Sequence, residues 1–270
     1  MVLFPHAKIN LGLQVIEKRQ DGFHNIVSCF YPIGWCDVLE IIEKPELTFK
    51  ATGLDIPGHR NQNLCLKAYH LLREQFHLSP VYIHLHKVIP IGAGLGGGSS
   101  DAAFMLKGLD RLFSLSLSPQ ELKELAAALG SDCAFFIESR PALATGKGEQ
   151  LEEIEISAPG KYLVVVTPPV QVDTGAAYGM LTPKKPAVDL REALSSPPGQ
   201  WSGLITNDFE GPVFDRYPAI GRIKQTLLEA GAVYASMSGS GSSVYGFFDQ
   251  EQECEGWFGS DHLTWVQKLL

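Results

Sequence analysis

The fold is decided by the stretch Pro90-Ile-Gly-Ala-Gly-Leu-Gly-Gly-Gly-Ser99-Ser-Asp-Ala-Ala103, which places five glycines and two hydroxyls between two regular elements. Before it, apolar and polar residues alternate over residues 81–88, which is the period of a half-buried strand. After it, apolar residues recur at helical spacing over residues 102–113. Glycine lets the backbone adopt a positive φ and approach a ligand closely, and the N–H groups at a helix start attract anions. The stretch therefore predicts a phosphate-binding loop.

Three other interpretations of a glycine-rich turn fit this chain less well. A P-loop is disfavoured because Ser-Ser-Asp follows the glycines in place of Gly-Lys-Ser/Thr. A dinucleotide fold requires an acidic residue about 20 residues further on, at the end of a second strand. Glu121 and Glu124 stand near that distance, but they lie in the helical run of residues 120–129. A turn that binds nothing is typical of one or two glycines rather than five with two serines.

Two more segments complete a family pattern. Near the N-terminus stands Pro5-His-Ala-Lys8-Ile-Asn10-Leu, and near the C-terminus stands Met237-Ser-Gly-Ser-Gly-Ser-Ser-Val-Tyr-Gly246. Together with the glycine-rich loop, these segments resemble the three motifs of the GHMP small-molecule kinases in order and spacing. The resemblance implies an α+β, two-domain GHMP kinase fold with a ribosomal protein S5 domain 2-like N-terminal domain and a ferredoxin-like C-terminal domain. It also implies an active site in the cleft between the two domains.

The chain is expected to divide into an N-terminal GHMP kinase domain with the ATP phosphate loop, residues 1–155, and a C-terminal GHMP kinase domain, residues 156–270. Hydrophobic periodicity predicts strands at residues 7–17, 30–42, 81–87, 162–166, 233–237 and 244–248. It predicts helices at residues 63–76, 99–113, 119–129 and 220–230. The stretch 182–201 is rich in Pro, Lys and Ser, which predicts a loop or a poorly ordered linker.

Composition restricts the partners. The 270 residues are 45% hydrophobic and 19% charged, as in an ordinary globular protein. A net charge of −8 argues against nucleic acid or an anionic membrane surface as a partner, and leaves small molecules. The five cysteines are scattered and contain no C-x-x-C pair, which favours a reduced, cytoplasmic protein. No apolar run approaches the length of a membrane span. A monomer or weak homodimer is expected.

The resemblance assigns the glycine-rich loop to ATP. The candidate nucleotide-binding residues are Pro90, Gly92, Ala93, Gly94, Leu95, Gly96, Gly97, Gly98, Ser99 and Ser100. ATP chemistry implies Mg²⁺ as well, because the metal bridges the β- and γ-phosphate oxygens and offsets their charge. Either serine can bind phosphate or metal, or simply cap the helix. Asp101 falls in a first helical turn, where an acidic residue is favourable with no ligand at all. The direct metal ligands are therefore left unassigned.

The resemblance assigns catalysis to Asp132 and Lys8. Asp132 follows a predicted helix end at Leu129-Gly130, where a carboxylate can also serve only as a cap. Lys8 is a lone cation in an uncharged strand-like run, and its alternative is an edge lysine whose charge reaches solvent. On the cleft side, Lys8 would offset charge that develops during phosphoryl transfer. Asn10 would share its strand face and is a candidate substrate-binding residue.

Within the family, Lys8-Ile-Asn10-Leu followed by Asp21-Gly-Phe-His24 resembles the members that phosphorylate a cytidine-diphosphate-linked methylerythritol in non-mevalonate isoprenoid synthesis. Those members usually have tyrosine where this chain has Phe23, so the ring is kept and its hydroxyl is lost. The implied substrate-binding residues, besides Asn10, are Phe23, His24, Lys147, Thr174 and Tyr178. Phe23 and Tyr178 would stack on the cytosine from opposite sides, His24 would bind its edge, and Lys147 would contact the diphosphate.

Two alternatives to this function stay open. The first is a GHMP kinase for another acceptor, such as homoserine or a mevalonate derivative. The second is a phosphate-binding module without catalytic activity. His84 and His86 share a strand face, but no third ligand stands at a recognisable spacing, so no metal site is assigned to them.

Overall fold

The structure is a computed structural model, and it describes residues 1–156, 158, 160–186 and 188–269. The described residues contain strands and helices in an α+β arrangement, as predicted. The strands are β1 (Val2–Leu3), β2 (His6–Lys18), β3 (His24–Cys36), β4 (Val38–Glu43), β5 (Thr48–Gly53), β6 (Val81–Lys87), β7 (Ala142–Thr145), β8 (Gln150–Glu153), β9 (Tyr162–Thr167), β10 (Tyr234–Met237), β11 (Val244–Phe248) and β12 (Leu263–Lys268). The α-helices are α1 (Leu64–Phe76), α2 (Gly97–Phe113), α3 (Pro119–Leu129), α4 (Phe135–Glu138), α5 (Thr174–Gly179), α6 (Leu190–Leu194), α7 (Glu210–Arg216) and α8 (Pro218–Glu229).

One compact unit consists of Met1–Lys8, Pro32–Ile91 and Gly96–Arg140. Its sheet has the strand order β1-β4-β6-β5, in which β5 and β6 are parallel and the other pairs are antiparallel. Helix α2 lies directly on this sheet, because a Cβ added to Gly108 would stand 2.5 Å from Ile41 Cδ1. The alternation over β6 is confirmed: Val81, Ile83 and Leu85 are buried.

The second compact unit consists of Ile9–Tyr31, Gly92–Leu95 and Pro141–Leu270. One sheet has the order β10-β11-β9-β12 and is antiparallel throughout. Helices α7 and α8 contribute Val213, Ile220 and Leu227 to a core that β11 completes with Val244 and Phe248. The other sheet has the order β2-β3-β7-β8, and the start of β2 and the end of β3 are counted with the first unit. Compactness therefore divides the chain at several points, whereas the sequence suggested one boundary after residue 155.

Most predicted elements are confirmed to within two residues, but two predictions were wrong in detail. The single strand expected at 30–42 is two strands, β3 and β4, separated by Asp37. Asp37 is fully buried, and its Oδ1 accepts the N–H groups of Val88 and Ile89 at 2.5 and 2.8 Å. Strand β3 belongs to the sheet β2-β3-β7-β8 and β4 to the sheet β1-β4-β6-β5, so the strand is interrupted where the chain passes from one sheet to the other.

The loop predicted at 182–201 contains regular structure. Helix α6 begins after Asp189, whose carboxylate caps it by accepting N–H groups of Arg191 and Glu192. Trp201 is fully buried against Tyr234 and Phe247. Ala187 lies outside the described residues. A five-residue helix carries too few apolar repeats to be recognised from periodicity.

All five cysteines are free thiols. In the part of the chain that the structure describes, no helix has both the length and the apolar character needed to cross a membrane.

Candidate active site

The glycine-rich loop follows β6 and enters α2 through alternating exposed and buried positions. Gly92, Gly94 and Gly96 have φ angles of +67°, +79° and +70°, which side chains rarely adopt. Between them, Ala93 and Leu95 are buried and anchor the loop. The sequence prediction of a backbone that needs glycine at several positions is therefore confirmed.

Helix α2 begins at Gly97 with Gly96 as N-cap, and no side chain caps it. The N–H groups of its first turn and the positive end of its dipole thus suit an anion. Ser99 is partly exposed. Ser100 is buried, and its hydroxyl has no hydrogen-bond partner among the described residues. Of the two candidate serines, Ser99 is the accessible one in this structure.

The two predicted catalytic residues lie together in the first unit. Lys8 Nζ stands 3.4 Å from Asp132 Oδ2, and the Lys8 side chain is 4% exposed while that of Asp132 is 33% exposed. Helix α3 ends at Leu129, and the following turn presents Asp132. A half-exposed carboxylate beside a buried ammonium can accept a proton from a ligand while the cation offsets charge nearby.

The glycine-rich loop contacts this catalytic pair. A Cβ added to Gly96 would stand 3.1 Å from Lys8 Cγ and 2.9 Å from Phe136 Cζ. Glycine at this position lets the backbone pass directly over the Lys8 side chain. An anion bound at the start of α2 and the Lys8 ammonium would therefore lie in one electrostatic environment.

The third motif braces the loop from within the second unit. Ser238 Oγ donates to the Gly94 carbonyl at 2.7 Å, and the Ser243 N–H donates to the Ala93 carbonyl at 3.1 Å. A Cβ added to Gly94 would stand only 2.0 Å from the Ser238 carbonyl oxygen. Motif residues far apart in sequence thus fix the loop's path through backbone contacts.

Asn207, which the sequence analysis did not single out, holds the third motif in place. Its Nδ2 donates to the carbonyls of Met237 and Gly239 at 2.7 and 2.8 Å, and its Oδ1 accepts the Phe209 N–H. The predicted substrate residue Asn10 is also buried, and its Nδ2 donates to Ser28 Oγ at 2.8 Å. The substrate-binding role of Asn10 stays a prediction.

Five of the predicted substrate residues line one cavity of about 520 Å³ in the second unit. The lining is Lys18, Gly22, Phe23, His24, Lys147, Thr174, Gly175, Tyr178, Gly179, Leu181 and Pro183. Its polar and aromatic side chains come from the hairpin after β2, the turn after β7 and helix α5. The structure therefore brings together Phe23, His24, Lys147, Thr174 and Tyr178, which are up to 155 positions apart in the chain.

The hairpin that presents Phe23 and His24 is tightly built. The Arg19 N–H donates to the Phe23 carbonyl at 2.8 Å, and Asp21 Oδ1 accepts the Phe23 N–H at 3.1 Å. Gly22 supplies a positive φ of +86°. These bonds hold the Phe23 ring outward, with 55% of the residue exposed.

The cavity's side chains form two stacked pairs. The His24 and Tyr178 rings stack at 4.7 Å with an interplanar angle of 17°. Lys147 Nζ lies over the Phe23 ring, 4.9 Å from its centroid. Sequence reasoning placed Tyr178 opposite Phe23 as a separate stacking plane, whereas the structure stacks it on His24.

The environment of His24 favours the neutral form of its imidazole. Burial and the nearby Lys18 charge lower the pKa of His24. The imidazole is therefore uncharged at neutral pH and offers one donor and one acceptor nitrogen. Lys18, which sequence reasoning missed, adds a second cation to the cavity wall beside Lys147.

The other histidine pair has a structural partner. His84 Nε2 and His86 Nδ1 lie 2.9 and 3.0 Å from Thr52 Oγ1 on the neighbouring strand β5. Across the described residues, no group of three or more His, Cys, Asp or Glu side chains is arranged to hold a metal ion.

Comparison with known proteins identifies the family. The chain matches the GHMP kinases N terminal domain over residues 63–140 and the GHMP kinases C terminal domain over residues 190–255. It is 50% identical over 254 residues, 94% of each chain, to a 4-diphosphocytidyl-2-C-methyl-D-erythritol kinase of Cytophaga hutchinsonii. It is 48% identical over 270 residues, the whole of each chain, to the enzyme of that name from Parabacteroides distasonis. The chain belongs to the GHMP kinase family.

A solved structure of 4-(cytidine 5'-diphospho)-2C-methyl-D-erythritol kinase resembles this GHMP kinase with a TM-score of 0.76 and 33% identity. The alignment covers 91% of this chain and 89% of the other. A mevalonate kinase structure at 13% identity and a TM-score of 0.71 shares the fold. This GHMP kinase is an enzyme, a small-molecule kinase, and ATP is the phosphate donor of its family.

Proposed function

We propose that this GHMP kinase transfers the γ-phosphoryl group of ATP to the 2-hydroxyl of 4-diphosphocytidyl-2-C-methyl-D-erythritol, in the non-mevalonate (methylerythritol phosphate) route to isoprenoid precursors. The observation that carries the proposal is the cavity in which His24, Tyr178, Phe23 and Lys147 converge. The names of relatives at 48–50% identity support the same substrate.

The cavity has the chemistry that a cytidine diphosphate needs. Flat aromatic surfaces stack on a pyrimidine, and a neutral imidazole pairs with its donor and acceptor edge. Lys18 and Lys147 both line the cavity and can attract the diphosphate. Homoserine and mevalonate carry no ring, so neither would use the stacked pair of His24 and Tyr178.

Phosphoryl transfer would follow from the catalytic pair and the loop. Asp132 accepts the proton of the attacking hydroxyl while the new oxygen–phosphorus bond forms. The bond from the γ-phosphorus to its bridging oxygen breaks, and ADP leaves with that electron pair. Lys8 offsets the negative charge of the transferring group, and the N–H groups at the start of α2 hold the phosphates.

Mg²⁺ is part of this proposal as the partner of ATP. The accessible oxygen donors near the loop are the Ser99 hydroxyl and the Asp132 carboxylate, which suit this hard cation. Two protein donors are enough for a metal that binds mainly phosphate and water. When bound, the metal would neutralise charge on the phosphate oxygens.

The deciding experiment is an ADP-release assay with 4-diphosphocytidyl-2-C-methyl-D-erythritol, homoserine and mevalonate as acceptors. We expect kcat/KM for the cytidine compound to exceed kcat/KM for the other acceptors by about 10³-fold or more. Homoserine and mevalonate leave the polar and stacking groups of the cavity without a partner, which costs several kcal/mol of transition-state binding. Comparable use of homoserine or mevalonate would favour another GHMP kinase. ATP binding without turnover of any acceptor would favour a non-catalytic phosphate-binding module.

We also propose a cytoplasmic location, which the five free thiols support. We retain family domains at residues 1–155 and 156–270, a monomer or weak homodimer, and no nucleic-acid or membrane partner as predictions. Size-exclusion chromatography with light scattering tests the oligomeric state.

A further inference from the structure

A buried ionic cluster lies beneath the glycine-rich loop. Lys87 ends β6 on the core side of the strand, in phase with Ile83 and Leu85, and is 3% exposed. Its Nζ stands 2.7 Å from Asp101 Oδ2 and forms a second ion pair with Asp37 Oδ2. Both carboxylates are buried as well. Two carboxylates and one ammonium are thus enclosed together.

The cluster is connected to the chain on both sides of the glycine-rich loop. Asp37 Oδ1 also accepts the N–H groups of Val88 and Ile89, the last residues before Pro90. Asp101 lies in the second turn of α2, because the helix begins at Gly97, and not in the first turn as the sequence suggested. A Cβ added to Gly97 would stand 3.0 Å from Lys87 Nζ, so the ammonium also touches the helix start.

We propose that Asp37, Lys87 and Asp101 form a clamp that positions the glycine-rich loop for the phosphates of ATP. Burial of ions costs several kcal/mol each, and a hydrophobic cluster of the same volume would give equal or greater stability. An ionic cluster does provide directional bonds that fix two chain segments at one separation. All three are positioning residues, because they bond to one another and to the two ends of the loop.

Two variants test the clamp through ATP affinity, measured by calorimetry on the free enzyme. Lys87→Met should weaken ATP binding roughly ten- to hundredfold, because misplacement by about 1 Å has effects of this size. Asp101→Asn keeps the volume and removes only the ion pair with Lys87, so it should weaken ATP binding less, by about three- to tenfold.

Asp110→Asn is the matched control, because Asp110 lies on the same helix and its Oδ1 accepts the Leu117 N–H at 3.0 Å. It should lower Tm without changing ATP affinity. A folded Lys87→Met protein with wild-type ATP affinity would overturn the clamp. So would a folded Asp101→Asn protein with wild-type ATP affinity, which decides the matter if Lys87→Met does not fold.

The proposal rests on the proposed function only for ATP as the donor. ATP affinity is measured without an acceptor, so an error in the acceptor leaves this test intact. Binding of 4-diphosphocytidyl-2-C-methyl-D-erythritol is titrated separately and should be unchanged in Lys87→Met. An equal loss for both ligands would indicate general unfolding and overturn the positioning role.

Discussion

The glycine-rich loop and the aromatic cavity, the two proposed binding regions, are built in opposite ways. The loop presents backbone N–H groups, and buried contacts from Ala93, Leu95 and the Ser238 hydroxyl hold it in place. The cavity presents side chains. Phe23 is more than half exposed, and the His24 ring stacks on Tyr178. Phosphate looks the same in every nucleotide and can be read by backbone alone, whereas an acceptor's identity must be read by side chains.

The largest effect should come from Asp132→Asn, which removes the proton acceptor but leaves both binding regions intact. The amide keeps the volume and loses the charge, so kcat should fall about 10²–10⁴-fold. The dissociation constants of ATP and of the acceptor should change little in calorimetry. Turnover within a few-fold of wild type would exclude Asp132 as the base.

A pair of glycine substitutions tests whether the path of the glycine-rich loop backbone determines ATP binding. Gly92 and Gly94 both have positive φ, but a Cβ on Gly92 meets nothing within 4 Å, whereas one on Gly94 meets the Ser238 carbonyl at 2.0 Å. Gly94→Ala should weaken ATP binding about a hundredfold, because the loop must shift by the order of 1 Å. Gly92→Ala carries only the conformational strain and is the control. Equal ATP dissociation constants for the two variants would show that the bracing contact has no role in binding.

In the aromatic cavity, His24→Ala should raise the KM for the acceptor and leave the KM for ATP unchanged. Loss of the imidazole leaves polar groups of the base unpaired and removes the partner of Tyr178, at a cost of about 1–2 kcal/mol, or roughly tenfold. Tyr178→Phe keeps the stacking ring and serves as the control. If His24→Ala weakened both substrates alike, the division between the two regions would be wrong.

The smallest effect should come from Phe23→Tyr, which adds the hydroxyl that related enzymes usually carry. The ring already lies under Lys147, and the aromatic plane, not a hydroxyl, is the feature that stacking requires. Acceptor KM should stay within about twofold of wild type, while Phe23→Ala should raise it several-fold. A large gain in Phe23→Tyr would show that a hydrogen bond from this position matters.

The sequence predicted the loop well because its signals are local. Glycine at positive φ, a period of two before it and a helical period after it all lie within about thirty residues. The catalytic pair was predicted from family motifs, and its geometry is confirmed only as an ion pair between Lys8 and Asp132. Its role in turnover stays a prediction.

The ring stack in the cavity and the ionic clamp depend on long-range contacts that one sequence does not specify. The stack of His24 on Tyr178 joins residues 154 positions apart, and ring orientation has no sequence signal. The sequence does contain a signal for the clamp. Lys87 continues the buried series of Ile83 and Leu85, and Asp101 stands four positions before the buried Met105. Charges in phase with a buried face indicate an internal ion pair, but the sequence analysis treated Lys87 only as the end of a strand and Asp101 only as an acidic residue of a first helical turn.

The thiol beside the predicted catalytic carboxylate has a practical consequence for chemical labelling. Cys133 follows Asp132 directly, yet it is fully buried, and burial raises its pKa to about 12. Only a thiolate reacts with electrophiles, so alkylating agents should spare this cysteine at neutral pH despite its position. Inactivation by such reagents would therefore have to proceed through the partly exposed Cys36 or Cys254. Covalent inhibitors aimed at Cys133 have no reactive group to capture in the folded enzyme.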